Sequence, residues 1–366
     1  MVVDCLRISS FRNIAFAEID LGSRMNCFTG RNGAGKTSVL EALYVISRGR
    51  TFRSASLDAV IQVGNTECAV GISGNDTSQR SLAVVFRKGH RSSPLVEVDA
   101  RKVQKQSQVA AVLPIQLITP DCGDLVLHGP PIRRQYIDWG VFHVKQTYHQ
   151  LRRDYNNTLR QRNVWLKSVL GDAERARDPW IELLSQQASE IDQARRQYCF
   201  ELEPIVSKYI DRFGIGRRIE FEYVRGWSGE DSENLAATLR RTEKSTLSGA
   251  ITRVGPHRAD FRIAVDGLPA NQQLSRGQAK LVAIAMKLGQ AAHLNAEGAQ
   301  KTIVLFDELV SELDSQHIGV VFDLMEALEC QVLLSAVEVS EKLHTQRFMH
   351  AKMFHVEHGV VREILE

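Results

Sequence analysis

The run Gly30-Arg31-Asn32-Gly33-Ala34-Gly35-Lys36-Thr37 satisfies the pattern G-x-x-x-x-G-K-[ST] at every fixed position. Its flanks suit it. Met25 to Thr29 is short and largely apolar, as a buried strand should be. Ser38 to Ser47 carries Val39, Leu40, Ala42, Leu43 and Val45 at helical spacing. Strand, glycine loop and helix form the geometry that holds a phosphate. Glycines let backbone N–H groups curl round the anion without Cβ clashes. The helix N-terminus adds its partial positive charge. Gly30, Arg31, Asn32, Gly33, Ala34, Gly35, Lys36, Thr37 and Ser38 are therefore candidate ATP contacts. Lys36 would reach the β- and γ-phosphates and take part in catalysis, and Thr37 would ligate Mg2+. An accidental match arises in about one chain in a hundred of this length.

Two later stretches complete such a site. Ile303-Val304-Leu305-Phe306 reads as a buried parallel strand, and Asp307-Glu308 follows it. Carboxylates at the C-terminal end of such a strand sit where α/β sheets bind ligands. Asp307 would hold Mg2+ through water, and catalytic Glu308 would orient or deprotonate the attacking water. The second stretch is Leu274-Ser275-Arg276-Gly277-Gln278, ahead of the apolar run Leu281 to Leu288. Ser275 is placed to cap that helix and Gly277 keeps its first turn bare, which makes another anion receptor. Ser275, Gly277 and Gln278 thus join the candidate nucleotide contacts. After a phosphate loop, this stretch resembles the signature motif of ABC-type ATPases, with Arg276 replacing the first of the usual two glycines. Ser311-Glu312-Leu313-Asp314 matches the D-loop of those proteins. Ser335-Ala336-Val337-Glu338 lacks the histidine that their transporter members carry after the next strand, which argues against a transporter subunit.

The remainder organises around that frame. Leu6, Ile8 and Phe11, then Ile14, Phe16 and Ile19, predict a hairpin. Arg12 and Asn13 lie at its turn, Arg12 being either a solvated turn residue or a further nucleotide contact. Cys68 to Ile72, Ser81 to Phe86 and Leu95 to Val98 predict an antiparallel sheet. A strand near residues 112–120 carries Gln116 as its only long polar side chain. From Pro131 to about Gly214 the chain is helical. Tyr148, Leu151, Tyr155, Leu159, Leu166 and Leu170 form one apolar face, and Leu184, Ala188, Ile191, Tyr198 and Leu202 another. The second helix opens at Asp178-Pro179. Arg217 to Trp227 returns to strand, Asp231 to Thr246 predicts a helix, and Gly255-Pro256-His257-Arg258 cannot continue it. His257 is either functional or satisfied locally within that turn.

The net charge of +3 permits an acidic partner without requiring one. Six scattered cysteines without ligand spacing argue against a zinc site or disulfide framework, and they read as small core residues. No secretory leader or membrane-spanning run appears, so a soluble cytoplasmic protein with no membrane contact is expected.

Together these stretches closely resemble the RecF family, from the SMC-like branch of ABC ATPases. Phe11-Arg12-Asn13-Ile14, Gly30 to Ser38 and Gly49-Arg50-Thr51-Phe52-Arg53 carry the resemblance. So do Gln116-Leu117-Ile118-Thr119-Pro120, Arg133-Arg134 before Asp138, Gly255 to Arg258, Leu274 to Lys280 and Asp307-Glu308. The resemblance implies an α/β fold, an ABC-type P-loop ATPase head with an inserted, mainly helical second lobe. The head would be 1–124 and 251–366, and the lobe 125–250. Gln116 would join both the nucleotide contacts and the Mg2+ site. Two chains would sandwich ATP between the phosphate loop of one and the signature helix of the other. ATP-dependent homodimers would bind gapped DNA near single-strand/double-strand junctions, hydrolyse ATP slowly as a timer, and help RecO and RecR load recombinase. Arg50, Arg53, Arg133, Arg134, Arg152 and Arg153 are candidates to touch that DNA. The competing reading is a transporter-type ABC ATPase subunit.

Overall fold

The computed structural model describes residues 1–76, 78–169, 178–228, 235–241, 251–298, 301–308, 313–337 and 351–364. They fall into two compact units, Met1–Cys122 with Tyr209–Gly214 and Ile284–Glu366, and Gly123–Lys208 with Ile215–Ala283.

The first unit is built from two six-stranded sheets. One is antiparallel, in the order β2-β1-β4-β5-β6-β7, from β1 (Val2–Phe11), β2 (Ile14–Asp20), β4 (Glu67–Asn75), β5 (Ser81–Gly89), β6 (Leu95–Val98) and β7 (Arg101–Lys102). Its alternation decides which face is buried. Val3, Leu6, Ile8, Val70, Val84 and Phe86 lie inside, whereas Phe16 and Glu18 face out. The other sheet has the order β15-β14-β3-β13-β12-β8 and includes β3 (Met25–Thr29), β8 (Ile115–Ile118), β12 (Ile303–Phe306) and β13 (Gln331–Ala336). Strands β14 (Lys352–Glu357) and β15 (Val360–Ile364) finish it. Strands β8, β12, β13, β3 and β14 run parallel, and β15 turns back on β14. The helix Lys36–Arg48 is packed against both sheets, and its Val39, Leu40, Leu43 and Ile46 share one core with Ile8, Phe86, Leu305 and Leu333. Burial from both sides explains why β3, β12 and β13 are buried almost end to end rather than on alternate residues.

The second unit holds the helices Pro130–Val144, Tyr148–Ser168 and most of Ile181–Arg212. Both expected apolar faces bury their central residues. Tyr148, Tyr155 and Leu166 are inside on one helix, and Leu184, Ala188, Ile191, Tyr198 and Leu202 on the other. Leu170 lies outside the described residues. The longer helix begins at Ile181 rather than at Pro179, and Asp178 accepts from Trp180 N at 2.9 Å in the turn just ahead of it. Of the helix expected over 231–246, Leu235–Arg241 is helical and the rest lies outside the described residues.

The boundary expected at residue 250 falls at 283. The cause is strand pairing. β10 (Asp260–Val265) pairs antiparallel with β9 (Ile219–Val224) in a separate three-stranded sheet with β11 (Leu268–Pro269). Arg133 grips Asp260 through two nitrogens at 2.7 and 2.9 Å. Residues 251–283, signature stretch included, therefore belong with the helical unit.

Candidate active site

Strand register builds the site. On β13, Leu334 lies opposite both Phe306 of β12 and Cys27 of β3. The ends of β3 and β12 thus flank the end of β13, each about 5 Å from it. One residue further on, Ser335 of β13 stands beside Asp307, just past β12. Thr37 Oγ1 donates to Asp307 Oδ1 at 2.8 Å, and Ser335 Oγ donates to the same oxygen at 2.7 Å. The Glu308 N–H in turn donates to Ser335 Oγ at 2.9 Å. Glu308 holds a positive φ of 51°, a region uncommon outside glycine, so a sharp bend follows the strand here.

The phosphate loop is held from several sides. Asn13 Nδ2 donates to Gly33 O at 3.3 Å and Ala34 O at 3.0 Å, while its Oδ1 accepts from Ser38 Oγ at 2.9 Å. Gly359 N donates to Ala34 O at 2.8 Å, and Gly30 N to Val337 O at 3.3 Å. Gly30 combines φ of 150° with a position where a Cβ would meet Val356 O at 2.1 Å, so only glycine fits there. Lys36 Nζ folds onto the loop, donating to Gly30 O at 2.8 Å and Arg31 O at 3.0 Å. Burial lowers its pKa, and the charges of Glu308 and Asp307 oppose that shift. An ammonium between carboxylates and a glycine cradle is suited to a triphosphate. The Thr37 hydroxyl and the Asp307 carboxylate supply the oxygen donors that Mg2+ prefers. The residues fit Mg·ATP on that donor set.

Three of the expected contacts have partners within the chain. Arg12 gives Nε and Nη2 to Glu41 at 2.8 and 2.7 Å, and Nη1 to Ala59 O at 2.7 Å. Glu41 is fully buried on the loop's helix, so Arg12 neutralises an internal carboxylate and anchors that helix to the hairpin. Gln116 sits opposite Val304, three residues before Asp307, or about 10 Å along the strands. It is buried, with Nε2 donating to Lys287 O at 3.1 Å and Gln290 Oε1 at 3.0 Å. This arrangement does not bring it to Thr37 and Asp307 as a metal ligand. Gln278 closes a reciprocal cap with Ser275, accepting from Ser275 N at 3.1 Å and donating its own N–H to Ser275 Oγ at 3.2 Å.

Ser275, Arg276 and Gly277 are exposed at the start of the helix Arg276–Ala296. Apart from its chain neighbours and the backbone of its own helix, a Cβ on Gly277 would come no nearer than 4.0 Å to any atom, the nearest being Ser275 Oγ. The unit's own packing therefore does not demand glycine there. Asp314 caps the helix Ser315–Ala327 by accepting from His317 N at 2.9 Å, while Ser311 and Glu312 lie outside the described residues. His257 is satisfied locally, by Tyr155 Oη on Nδ1 at 2.7 Å and Thr252 O on Nε2 at 3.1 Å. Among the proposed DNA contacts, Arg53 lies 3.7 Å from Glu41 and Arg133 pairs with Asp260. Arg50 and Arg153 are exposed.

Sequence reasoning missed Ser335 and Glu41. Neither type is diagnostic alone, but Ser335 stands at the strand end where the missing histidine drew notice. Ser335→Ala removes a fully buried hydroxyl joining Asp307 to the Glu308 backbone. We expect a stability loss of about 1–3 kcal/mol. Chemical denaturation would measure it, and a change below a few tenths would remove Ser335 from the framework.

No described helix is long and apolar enough to cross a membrane.

The family described as RecF/RecN/SMC N terminal domain matches residues 2–362. The chain is 34% identical to the DNA replication and repair protein RecF of Shewanella piezotolerans over 366 residues, covering 100% of both. It is 34% identical to RecF of Vibrio parahaemolyticus over 362 residues, 98% of this chain and 99% of that one. Pseudomonas aeruginosa RecF is 35% identical over 370 residues, at 97% and 96% coverage. Among solved structures, the recombination mediator protein RecF-ATP in the RecFOR pathway superimposes with a TM-score of 0.86 at 22% identity, covering 100% of this chain and 98% of that one. An Smc head bound to the C-winged helix domain of ScpA gives a TM-score of 0.60 at 14% identity, with 100% and 97% coverage. These two are likenesses of fold, and they agree with an ABC-type ATPase head.

Proposed function

Because this chain belongs to the RecF/RecN/SMC N-terminal domain family, with RecF relatives along its whole length, we propose that it is an ATP-gated DNA-binding protein of recombinational repair. The observation that carries the reading is Thr37 bonded to Asp307 at 2.8 Å, with Lys36 before it and Glu308 after. In that arrangement the glycine loop and Lys36 hold the β- and γ-phosphates. Thr37 and Asp307 would hold Mg2+, which would neutralise phosphate charge when bound. Glu308 orients the attacking water.

The bare helix start at Ser275-Arg276-Gly277 supports a dimer. A glycine whose own surroundings leave room for a methyl group, in a helix that Ala would favour by about 1 kcal/mol, points to something approaching from outside. A triphosphate on a second copy fits that place, its γ-phosphate meeting the capped helix N-terminus. ATP would then join two copies two-fold symmetrically, and slow hydrolysis would release them. On this reading the dimer acts in the cytoplasm on gapped DNA near single-strand/double-strand junctions, with RecO and RecR, in loading recombinase. A transporter-type subunit is disfavoured, because Ser335 to Glu338 contains no histidine.

The test is DNA binding with ATP, ADP or no nucleotide across a salt series. We expect tight binding with ATP alone. The affinity should fall linearly on a log–log salt plot, because phosphate contacts release counterions. Equal affinity in all three nucleotide states would defeat the gating.

A further inference from the structure

Within the second unit, Arg134, Asp138, Arg152, Tyr155, Arg195 and His257 line a cavity of about 230 Å3. Its charges do not balance. Asp138 is the only carboxylate among the described residues that line it, and both its oxygens are engaged. Oδ1 accepts from Arg195 Nε at 2.9 Å and Nη2 at 2.8 Å, and from the Tyr148 hydroxyl. Oδ2 lies 3.2 Å from Arg152 Nη2. Arg134 donates Nη1 to a neutral acceptor, Ala259 O, at 2.7 Å. His257 adds no charge at neutral pH. Burial first, and then the nearby guanidinium groups, depress its pKa to about 4 against the pull of Thr252 O. Three guanidinium groups therefore face one carboxylate.

The three cations differ in commitment. Arg195 is 4% exposed, bonded to Asp138 and to Pro256 O at 2.7 Å, so it is a fixed background charge. Burial of Arg134, reinforced by Arg195, disfavours its charged form against the opposing pull of Asp260 and Asp138. Arg152 is 42% exposed and shares a carboxylate already satisfied by Arg195. Like charges gathered in a partly desolvated wall cost free energy until an anion joins them. Guanidinium forks match tetrahedral oxyanions in two-point geometry. The space is below the roughly 300–1,000 Å3 of sites for drug-sized ligands. It admits a phosphoryl group with a few waters, not a nucleoside.

We propose that this cavity is a phosphoryl-anion site, contacted by Arg134 and Arg152 over the charge of Arg195. It is separate from the phosphate loop. The anion could be a phosphate of bound DNA or free inorganic phosphate. The DNA source rests on the proposed function, whereas the anion site itself does not.

The experiment keeps the phosphate loop filled with Mg·ADP and titrates inorganic phosphate into the full-length protein by calorimetry. Crystals soaked in tungstate locate the ion by anomalous scattering. Arg152→Gln and Arg134→Gln are each expected to weaken phosphate binding at least tenfold. Arg160→Gln, on the same helix but outside the cavity lining, should bind as wild type. Arg152 is the safer of the two for folding, being partly exposed, and circular dichroism confirms it. Junction DNA is then titrated with ATP present. A parallel tenfold loss of DNA affinity in Arg152→Gln assigns the anion to DNA, and an unchanged DNA affinity with lost phosphate binding assigns it to free phosphate. No ion density in the cavity, together with wild-type phosphate and DNA binding by both variants, overturns the site. Loss of ATP gating in the wild type would count against the proposed function and leave the cavity result standing.

Discussion

Glu308→Gln should reduce ATP turnover about 100-fold or more while leaving ATP binding intact. The substitution keeps size and removes the charge that orients or deprotonates the attacking water, and such groups typically contribute about 10²–10⁴-fold. Binding should survive because the phosphate contacts come from the glycine loop, Lys36 and Thr37. Glu308 is held at the site by the bend after β12 and by its N–H on Ser335 Oγ. Steady-state turnover with and without DNA, beside equilibrium binding of ATP, separates the two effects. Turnover within a few-fold of wild type would move the water-orienting role elsewhere. Turnover absent from the wild type as well would leave a nucleotide-dependent scaffold.

Ser275→Arg should abolish ATP-driven dimerisation, raising the dissociation constant of the dimer by about 100-fold or more, while single copies still bind ATP. The position is exposed, so a long side chain costs the isolated unit little. The lost cap on Gln278 N costs about 1 kcal/mol. Ser275→Ala loses that cap without adding bulk and is the control. Gly277→Ala sharpens the comparison. A methyl there meets nothing in the unit and should steady the helix, yet it should weaken the dimer if a triphosphate packs against it. Sedimentation with ATP would read all three. Normal dimerisation by Ser275→Arg would exclude the signature helix from the interface.

Signals confined to a few neighbouring residues were legible in the sequence. The glycine loop, its strand and helix, and the Asp307-Glu308 pair each announce themselves locally, and parallel register brings them together. What required the fold was the destination of long-range side chains. Arg12 finds Glu41 twenty-nine residues on, and only the fold reveals a buried carboxylate there needing a cation. Gln116 is polar in an apolar strand, but its distance from Asp307 depends on a register that no periodicity encodes. The boundary at 283 rather than 250 has the same origin. The alternation in Asp260–Val265 announces a strand without naming Ile219–Val224 as its neighbour. The apolar stripes of the helical unit were readable because helical spacing identifies a buried face without its partner.

ATP-gated dimerisation requires a nucleotide shared between two copies of the chain. Small-angle scattering of the wild-type protein with Mg2+ and a non-hydrolysable ATP analogue, against the same sample with ADP, tests this most directly. A mass near twice 41.1 kDa is expected with the analogue and near 41.1 kDa with ADP. A mass of one copy under both nucleotides, at saturating analogue, would contradict it.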